Sequence, residues 1–221
     1  MGAIIRTFTG RQLDLLHPDL ADIAIEDIAH GLARTCRFSG QCARFYSVAE
    51  HAFQVSYMVP PPLALWGLLH DASEAYLSDL VSPLKRTPAL LGYREIEDRL
   101  MVAILERFGL IQPGACAADP PAVGAADREL LVLEQAVLFD GLDLTELACL
   151  EPPGAEALFL TRYREIGAGG ATGSAGAVER AARRLLLEGR LPVCDLDAQT
   201  LNLLSALRLG LAQAGDHGCG A

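Results

Sequence analysis

The chain has 221 residues and a formal net charge of −10, and 51% of its residues are hydrophobic. This length is enough for one domain with a well-filled core and an appendage. The negative charge makes nucleic acid a poor partner for the surface as a whole, whereas a small anionic substrate could bind where basic groups are gathered. Abundant Ala and Leu favour helices over sheet, so the predicted fold class is all-α.

Targeting and redox signals are absent from the sequence. No stretch reaches the roughly 18 apolar residues that a membrane-spanning helix needs, and the start, Met-Gly-Ala-Ile-Ile-Arg, has no apolar signal core. The six cysteines form no Cys-x-x-Cys pair, which is typical of reduced thiols. We therefore expect a cytoplasmic protein with no membrane partner.

The first half of the chain predicts a short N-terminal strand followed by three helices. In chain order we predict a strand or hairpin at Ile4–Phe8, a helix from Asp22 to about Arg34, a loop from Cys36 to Phe45, and helices that begin near Ser47 and Leu63. Ser47 is a plausible N-cap, and Glu50 three residues later would complete a capping box. The third helix is predicted to continue through His70 and Asp71.

The second half predicts three more helices and then a change in composition. The helices are expected at Tyr93–Phe108, Val123–Leu138 and Glu156–Ile166. A Gly-, Ala- and Ser-rich stretch at 168–177 predicts a flexible linker. It would separate a main domain at 1–167 from a helical appendage at 178–213 and a tail at 214–221.

Polar residues gather at the end of the apolar third helix. His70 and Asp71 are adjacent there, and Glu74 follows four residues after the histidine, so that on a helix all three would lie near one face. Asp79 comes shortly afterwards. Burying these groups is costly unless a cation or a polar network offsets the desolvation. The stretch therefore indicates a functional site.

Two more residues complete a candidate metal-binding set. The interval between His51 and His70 accommodates two helices joined by a proline turn, so their imidazoles could meet across a helix contact. Asp127 precedes an apolar run early in a later helix. Two imidazoles and two carboxylates would neutralise a divalent cation such as Mn, Co, Zn, Fe or Ni, and Mg could join as an additional ion. Isolated histidines such as His17 are instead expected to be structural.

The order of these residues resembles the HD-domain metal-dependent phosphohydrolases, and most of all the branch of 5′-deoxynucleotidases and phage-type dATP triphosphohydrolases. The resemblance covers about residues 4–166 and lies in Ile25-Glu-Asp-Ile-Ala-His30, Cys36-Arg-Phe38, Arg44-Phe-Tyr-Ser-Val-Ala-Glu-His51, Leu68-Leu-His-Asp-Ala-Ser-Glu-Ala-Tyr-Leu-Ser-Asp79, Ser82-Pro-Leu-Lys85 and Ala125-Ala-Asp127. It implies an HD-domain helical bundle, with the later residues as a C-terminal helical extension, and assembly as a homo-oligomer, either a dimer or a larger ring.

The resemblance also implies a role for each matched residue. Metal ligands fall on His51, His70, Asp71 and Asp127, and catalytic acids fall on Glu74 and Asp79. Substrate contacts fall on Arg37, Phe38, Ser82 and Lys85. In such a site the cation activates water, an arginine holds phosphate and an aromatic ring packs on the sugar or base. Some relatives have Trp where this chain has Phe38.

The implied activity is metal-dependent hydrolysis of a small deoxynucleotide, with dATP triphosphohydrolase favoured and 5′-deoxynucleotidase action on monophosphates as the alternative. A triphosphate needs further positive groups, for which Arg34, Arg44 and Arg86 are candidates. A non-catalytic nucleotide sensor is less favoured, since every expected ligand and acid is present. A cyclic-dinucleotide or (p)ppGpp hydrolase would share the metal ligands but usually carries further acidic motifs or regulatory domains.

Overall fold

The computed structural model describes residues 2–140 and 147–169, and within these ranges the fold is helical apart from one two-stranded sheet. The strands are β1 (Ile4–Arg6) and β2 (Gln12–Asp14), and the helices are α1 (Ile25–Arg34), α2 (Val48–Met58), α3 (Ala64–Leu69), α4 (Glu74–Leu77), α5 (Ser82–Lys85), α6 (Leu91–Arg107), α7 (Pro121–Leu138) and α8 (Pro152–Gly167). The predicted all-α class is confirmed. The linker beyond residue 169, the appendage at 178–213 and the tail at 214–221 lie outside the described residues.

A small antiparallel hairpin begins the fold, where the sequence predicted a strand. Ile5 of β1 pairs with Leu13 of β2, and Leu13 is completely buried in the main core. The turn between the strands contains Gly10 with φ of 89°, a left-handed backbone conformation that glycine adopts without steric cost. The hairpin therefore covers one side of the core formed by the helices.

Helix α2 lies at the centre of the described helices and contacts α1, α3, α7 and α8. Every residue from Val48 to Ser56 is buried, including several polar side chains. The helix begins where the sequence predicted, because the Ser47 hydroxyl accepts a hydrogen bond from Glu50 N at 3.2 Å. This cap determines where α2 starts and hence the position of His51 in its first turn.

The predicted capping box is only half formed. The Glu50 carboxylate turns away from Ser47 and instead accepts hydrogen bonds from the backbone nitrogens of Cys149 and Leu150, at 2.8 and 2.9 Å. Burial raises the pKa of Glu50 to about 7, although the two backbone donors oppose the shift. A tertiary contact has replaced the expected local one, and it attaches the segment before α8 to the central helix.

The predicted third helix is shorter than expected. Helix α3 ends at Leu69, and the chain continues through a turn at 70–73 into α4. Hydrogen bonds in this turn join residues three apart, from Ala72 N to Leu69 O and from Glu74 N to Asp71 O, each at 3.0 Å. This tighter winding advances each residue by about 120° instead of about 100°, so it changes the direction of Glu74 relative to His70.

Small residues allow the helices around the site to approach closely. A Cβ at Gly67 of α3 would lie 3.2 Å from the Cα of Ser56 and the carbonyl oxygen of Val55, both on α2. A Cβ at Gly31 of α1 would overlap the backbone of Ala75 on α4. The glycines thus bring α3 against α2 and α4 against α1, which places the turn at 70–73 beside His51.

The last three long helices of the described ranges occur where they were predicted, with earlier starts. Helices α7 and α8 begin at Pro121 and Pro152, because proline at the first helical position loses no hydrogen bond and has a suitable φ. Helix α6 begins at Leu91 after the turn at Pro88–Leu90. None of the helices in the described ranges combines the length and apolarity needed to cross a membrane.

The Glu50 contact gives a test of the fold. We expect Glu50→Ala to lower the free energy of unfolding by about 2–4 kcal/mol, because each buried backbone donor left without an acceptor costs roughly 1–3 kcal/mol. Chemical denaturation measures the change. Glu129→Ala, on the exposed side of α7, is the matched control and should stay within about 0.5 kcal/mol of wild type. Equal stability of the two variants would contradict the proposed role of the contact.

Candidate metal centre

Four side chains from three parts of the chain converge at one point. His51 comes from α2, His70 and Asp71 come from the turn after α3, and Asp127 comes from α7. His51 Nε2 lies 3.3 Å from His70 Nε2, 3.2 Å from Asp127 Oδ1 and 3.7 Å from Asp71 Oδ2, and His70 Nε2 lies 3.2 Å from Asp71 Oδ2. The structure thus brings together the four residues that the sequence predicted as ligands.

The orientation of His70 follows from the end of α3. Its Nδ1 lies 2.9 Å from the carbonyl oxygen of Gly67, so we assign Nδ1 as the protonated nitrogen that donates this bond. Nε2 then faces His51 and Asp71, and it presents a lone pair to them when His70 is neutral. A backbone contact of this kind commonly orients metal-binding histidines.

Neighbouring charges at this point shift the pKa values of Asp71 and His70. Burial alone would raise the pKa of Asp71, but His70, His51 and Arg37 hold it well below its usual range. Burial alone would lower the pKa of His70, but Asp71 raises it to about 9. A proton on His70 thus balances part of the negative charge of the carboxylates. A metal ion that binds His70 must displace that proton.

The donor set fits a divalent cation. One ligating atom each from His51, His70 and Asp127 lies within 4.8 Å of the others, and Asp71 Oδ2 is adjacent to both imidazoles. Two neutral imidazoles and two carboxylates balance a charge of +2 and suit Mn, Fe, Co, Ni or Zn.

A cavity of about 390 Å³ opens beside the candidate ligands. Asp71 and Asp127 line it together with the predicted catalytic and substrate-contacting residues, which are Arg37, Phe38, Glu74, Asp79, Ser82 and Lys85. The volume is within the usual range for a pocket that binds a small molecule. Residues far apart in the sequence therefore face a common space next to the candidate metal centre.

Glu74 and Lys85 form an ion pair at one wall of the cavity. Lys85 Nζ lies 2.9 Å from Glu74 Oε1 and 2.8 Å from Glu97 Oε1. Burial raises the pKa of Glu74 to about 9, and nearby Asp71 adds to the shift while Lys85 opposes it. Glu74 Oε2 is buried and has no hydrogen-bond partner among the described residues. Lys85, predicted as a substrate contact, is thus held between two carboxylates, one of which, Glu97, the sequence did not indicate.

Arg37 and Phe38 lie in a tight turn after α1. Phe38 and Ser39 have φ values of 55° and 52°, which are costly for residues with side chains. The Phe38 ring contacts Phe139 edge-on, with ring centroids 5.2 Å apart. Arg37 is buried beside it and places Nη1 3.6 Å from Asp71 Oδ2. The strained turn thus presents a cation and an aromatic ring to the same cavity.

Asp79 follows a second strained residue. Ser78 has φ of 68° and ψ of 157°, a combination otherwise typical of glycine. Burial raises the pKa of Asp79, although Arg37 and Lys85 oppose the shift. Asp79 therefore lies at the cavity with an increased tendency to hold a proton, and exposed Ser82 lies nearby at the start of α5.

Sequence reasoning missed one buried carboxylate. Glu134 on α7 is completely buried, and its Oε1 lies 2.6 Å from His51 Nδ1 while its Oε2 accepts from Arg37 Nη2 at 2.9 Å. Burial opposes ionisation, but His51 and Arg37 hold the pKa of Glu134 below its usual value. Its spacing was a usable signal, because Glu134 follows Asp127 by seven residues and so lies on the same face two turns later.

Fold and site together define a helical protein with a candidate divalent-metal centre beside a cavity. Comparison with known proteins then gives the family. The chain is 34% identical over 183 residues to the uncharacterized protein YfdR of Escherichia coli, which covers 74% of this chain and 96% of YfdR, and it belongs to the same family. It is also 45% identical over 139 residues to an uncharacterized protein of Rhodobacter capsulatus, covering 58% of this chain and 69% of that protein. No protein-family model matches the chain.

The metal centre can be tested without an activity assay. We expect the wild-type protein to bind about one Mn²⁺ or Co²⁺ in calorimetry, and His70→Ala to lose this binding because one of the two imidazoles is removed. His17→Ala replaces an exposed histidine away from the site and is the matched control. Unchanged metal affinity in a folded His70→Ala variant would show that the ligand assignment is wrong.

Proposed function

We propose that this protein is a metal-dependent phosphohydrolase of the HD-domain type that acts on small deoxynucleotides. The observation that carries the proposal is the convergence of two histidines and two aspartates beside a cavity that Arg37 and Glu74 also line. The resemblance of the sequence motifs to that family supports the same conclusion independently of the geometry.

The ligands and the cavity have complementary roles in this proposal. His51 and His70 are buried, whereas Asp71 and Asp127 line the cavity, so the substrate would approach from the carboxylate side. A divalent cation held by these four side chains would supply Lewis-acid polarisation of a phosphoryl oxygen and a lower pKa for water. The protein itself must bind the phosphate and orient the water. It must also accept a proton from the water and give one to the leaving oxygen.

Glu74 is suited to accept the proton of the attacking water. Glu74 lines the cavity and is held by Lys85 at Oε1, so its carboxylate could orient a water molecule there and take its proton. The raised pKa makes the ionised carboxylate a stronger base than an ordinary glutamate, and Lys85 together with a bound cation would favour the ionised form that can take a proton. Asp79, whose pKa is also raised, is the candidate to give a proton to the leaving oxygen.

Arg37 and Phe38 are suited to select the substrate. Arg37 Nη1 faces Asp71, where it could balance the charge of a bound phosphate. The ring of Phe38 could pack on the sugar, and such packing leaves little room for a 2′-hydroxyl without a hydrogen-bond partner. We therefore expect deoxynucleotides to be preferred over ribonucleotides.

The length of the phosphate chain distinguishes two versions of the function. The sequence resemblance favours dATP, but the basic residues that line the cavity within the described ranges are limited to Arg37, Lys85 and Arg86. Lys85 is held between two carboxylates, and Arg34, a candidate for a triphosphate, instead contacts Glu156 at 2.7 Å. This small number of available cations favours a monophosphate and makes the 5′-deoxynucleotidase version a specific second candidate.

A product assay with the deoxynucleoside mono- and triphosphates tests the function. With Mn²⁺ or Co²⁺ supplied, we expect hydrolysis that a chelator abolishes, and slower hydrolysis of the matching ribonucleotides. Inorganic phosphate from a monophosphate would identify a deoxynucleotidase, whereas intact triphosphate released from dATP would identify a triphosphohydrolase. No hydrolysis of any nucleotide with either metal would contradict both versions and favour a nucleotide sensor.

The proposed role of Glu74 gives a separate prediction. Glu74→Gln should retain metal binding but lower kcat by about 10²–10⁴-fold, the usual contribution of general acid–base catalysis. Glu95→Gln, an exposed substitution of the same kind on α6, should leave kcat unchanged. If metal binding were lost together with activity, Glu74 would instead be a metal ligand.

A further inference from the structure

We propose that Glu134 is a positioning residue that fixes His51 and Arg37 relative to each other. One side chain would then set the distance between the candidate metal centre and Arg37, the residue proposed above to bind phosphate. The inference rests on the function proposed above and assigns a role to a residue that the matched motifs do not include. Glu134 is expected to act through its two partners, without touching the metal or the substrate.

Glu134 is buried, so its carboxylate needs hydrogen-bond donors inside the protein. The side chain is completely excluded from solvent, and an isolated buried carboxylate costs several kcal/mol unless charged donors surround it. Oε1 lies 2.6 Å from His51 Nδ1, and Oε2 accepts from Arg37 Nη2 and Nε at 2.9 and 3.1 Å. Each oxygen therefore has its own partner.

The contact with His51 determines which imidazole nitrogen is available. An ionised carboxylate only accepts hydrogen bonds, so His51 must carry its proton on Nδ1. Nε2 then has a free lone pair, and it points toward His70 and Asp127 at 3.3 and 3.2 Å. A carboxylate behind a histidine in this way fixes the tautomer and makes the ligand more basic.

The contact with Arg37 determines where its free nitrogen points. Because Nε and Nη2 both donate to one oxygen, the plane of the guanidinium group is fixed. Nη1 is left on the side of Asp71, 3.6 Å from Oδ2. Glu134 and Asp127 lie two turns apart on α7, so one rigid helix supplies a ligand and orients both a second ligand and the arginine.

An amide cannot replace the carboxylate in both contacts. Gln has the same shape as Glu but only one acceptor oxygen, and its amide nitrogen would face a donor of either His51 or Arg37. Glu134→Gln is therefore expected to disturb one or both partners with little change in volume. Glu129→Gln is the matched control, because Glu129 lies on the same helix and is exposed.

Cobalt binding by the full-length, metal-stripped protein tests the inference. We expect Glu134→Gln to bind Co²⁺ about 10–100-fold more weakly in calorimetry, the usual effect of losing a carboxylate behind a metal-binding histidine. The visible absorption spectrum of bound Co²⁺ should also change, because His51 is reoriented. Glu129→Gln should match the wild type in both measurements.

Hydrolysis at saturating Co²⁺ gives a second readout. Release of Arg37 should raise KM in Glu134→Gln, whereas a purely structural role would reduce the amount of active enzyme and leave KM unchanged. If Glu134→Gln does not fold, Glu134→Asp keeps the charge near Arg37 but is too short to reach both partners, and it should also weaken Co²⁺ binding.

The outcomes separate this inference from the proposed function. Wild-type affinity, spectrum and KM in a folded Glu134 variant would overturn the inference alone. Co²⁺ binding that depends on Glu134 without any nucleotide hydrolysis would support the inference and contradict the proposed function. Failure of the wild-type protein to bind a divalent metal would overturn both.

Discussion

The burial of polar side chains on α2 is the constraint from which the site is built. The helix is enclosed from Val48 to Ser56, so each polar group on it must find a partner inside the protein. Glu50 binds two backbone nitrogens before α8, His51 meets Glu134, and Ser56 accepts from Arg162 at 3.0 Å. These partners come from distant parts of the chain, so the helices cannot shift independently without leaving a buried polar group unsatisfied.

Several residues with a strained backbone lie close to the cavity. Phe38, Ser39 and Ser78 have positive φ values, and each lies within one or two residues of a group that faces the cavity. Such conformations persist only when the surrounding contacts determine them. Here Arg37 is held by Glu134, and Lys85 is held between Glu74 and Glu97. A rigid arrangement of charges is what electrostatic catalysis requires, because the groups need no reorganisation during the reaction.

Local rules predicted the elements well and failed where a tertiary contact was stronger. The helical class, the hairpin and the start of α2 at Ser47 follow from composition, turn residues and capping. The Glu50 half of the predicted capping box did not form, because Glu50 gains two backbone donors near residue 150, which no local pattern contains. The starts of α7 and α8 at Pro121 and Pro152 also follow a local rule, because proline is favoured at the first helical position. The HD-domain assignment and the oligomeric state stay predictions.

The sequence by itself determined which residues could form a site. His51, His70, Asp71 and Asp127 are costly to bury in predominantly apolar helices unless a cation or a polar network offsets the desolvation. Spacing along the chain predicts which residues share one face of a helix, but it does not predict which other helix packs against that face. Only the tertiary structure decided that Glu134 lies behind His51, that Glu97 shares Lys85 with Glu74, and that Arg34 binds Glu156 instead of facing the cavity. Those pairings depend on how α2, α6, α7 and α8 pack, and packing is set by side-chain shape and close approach across the whole core.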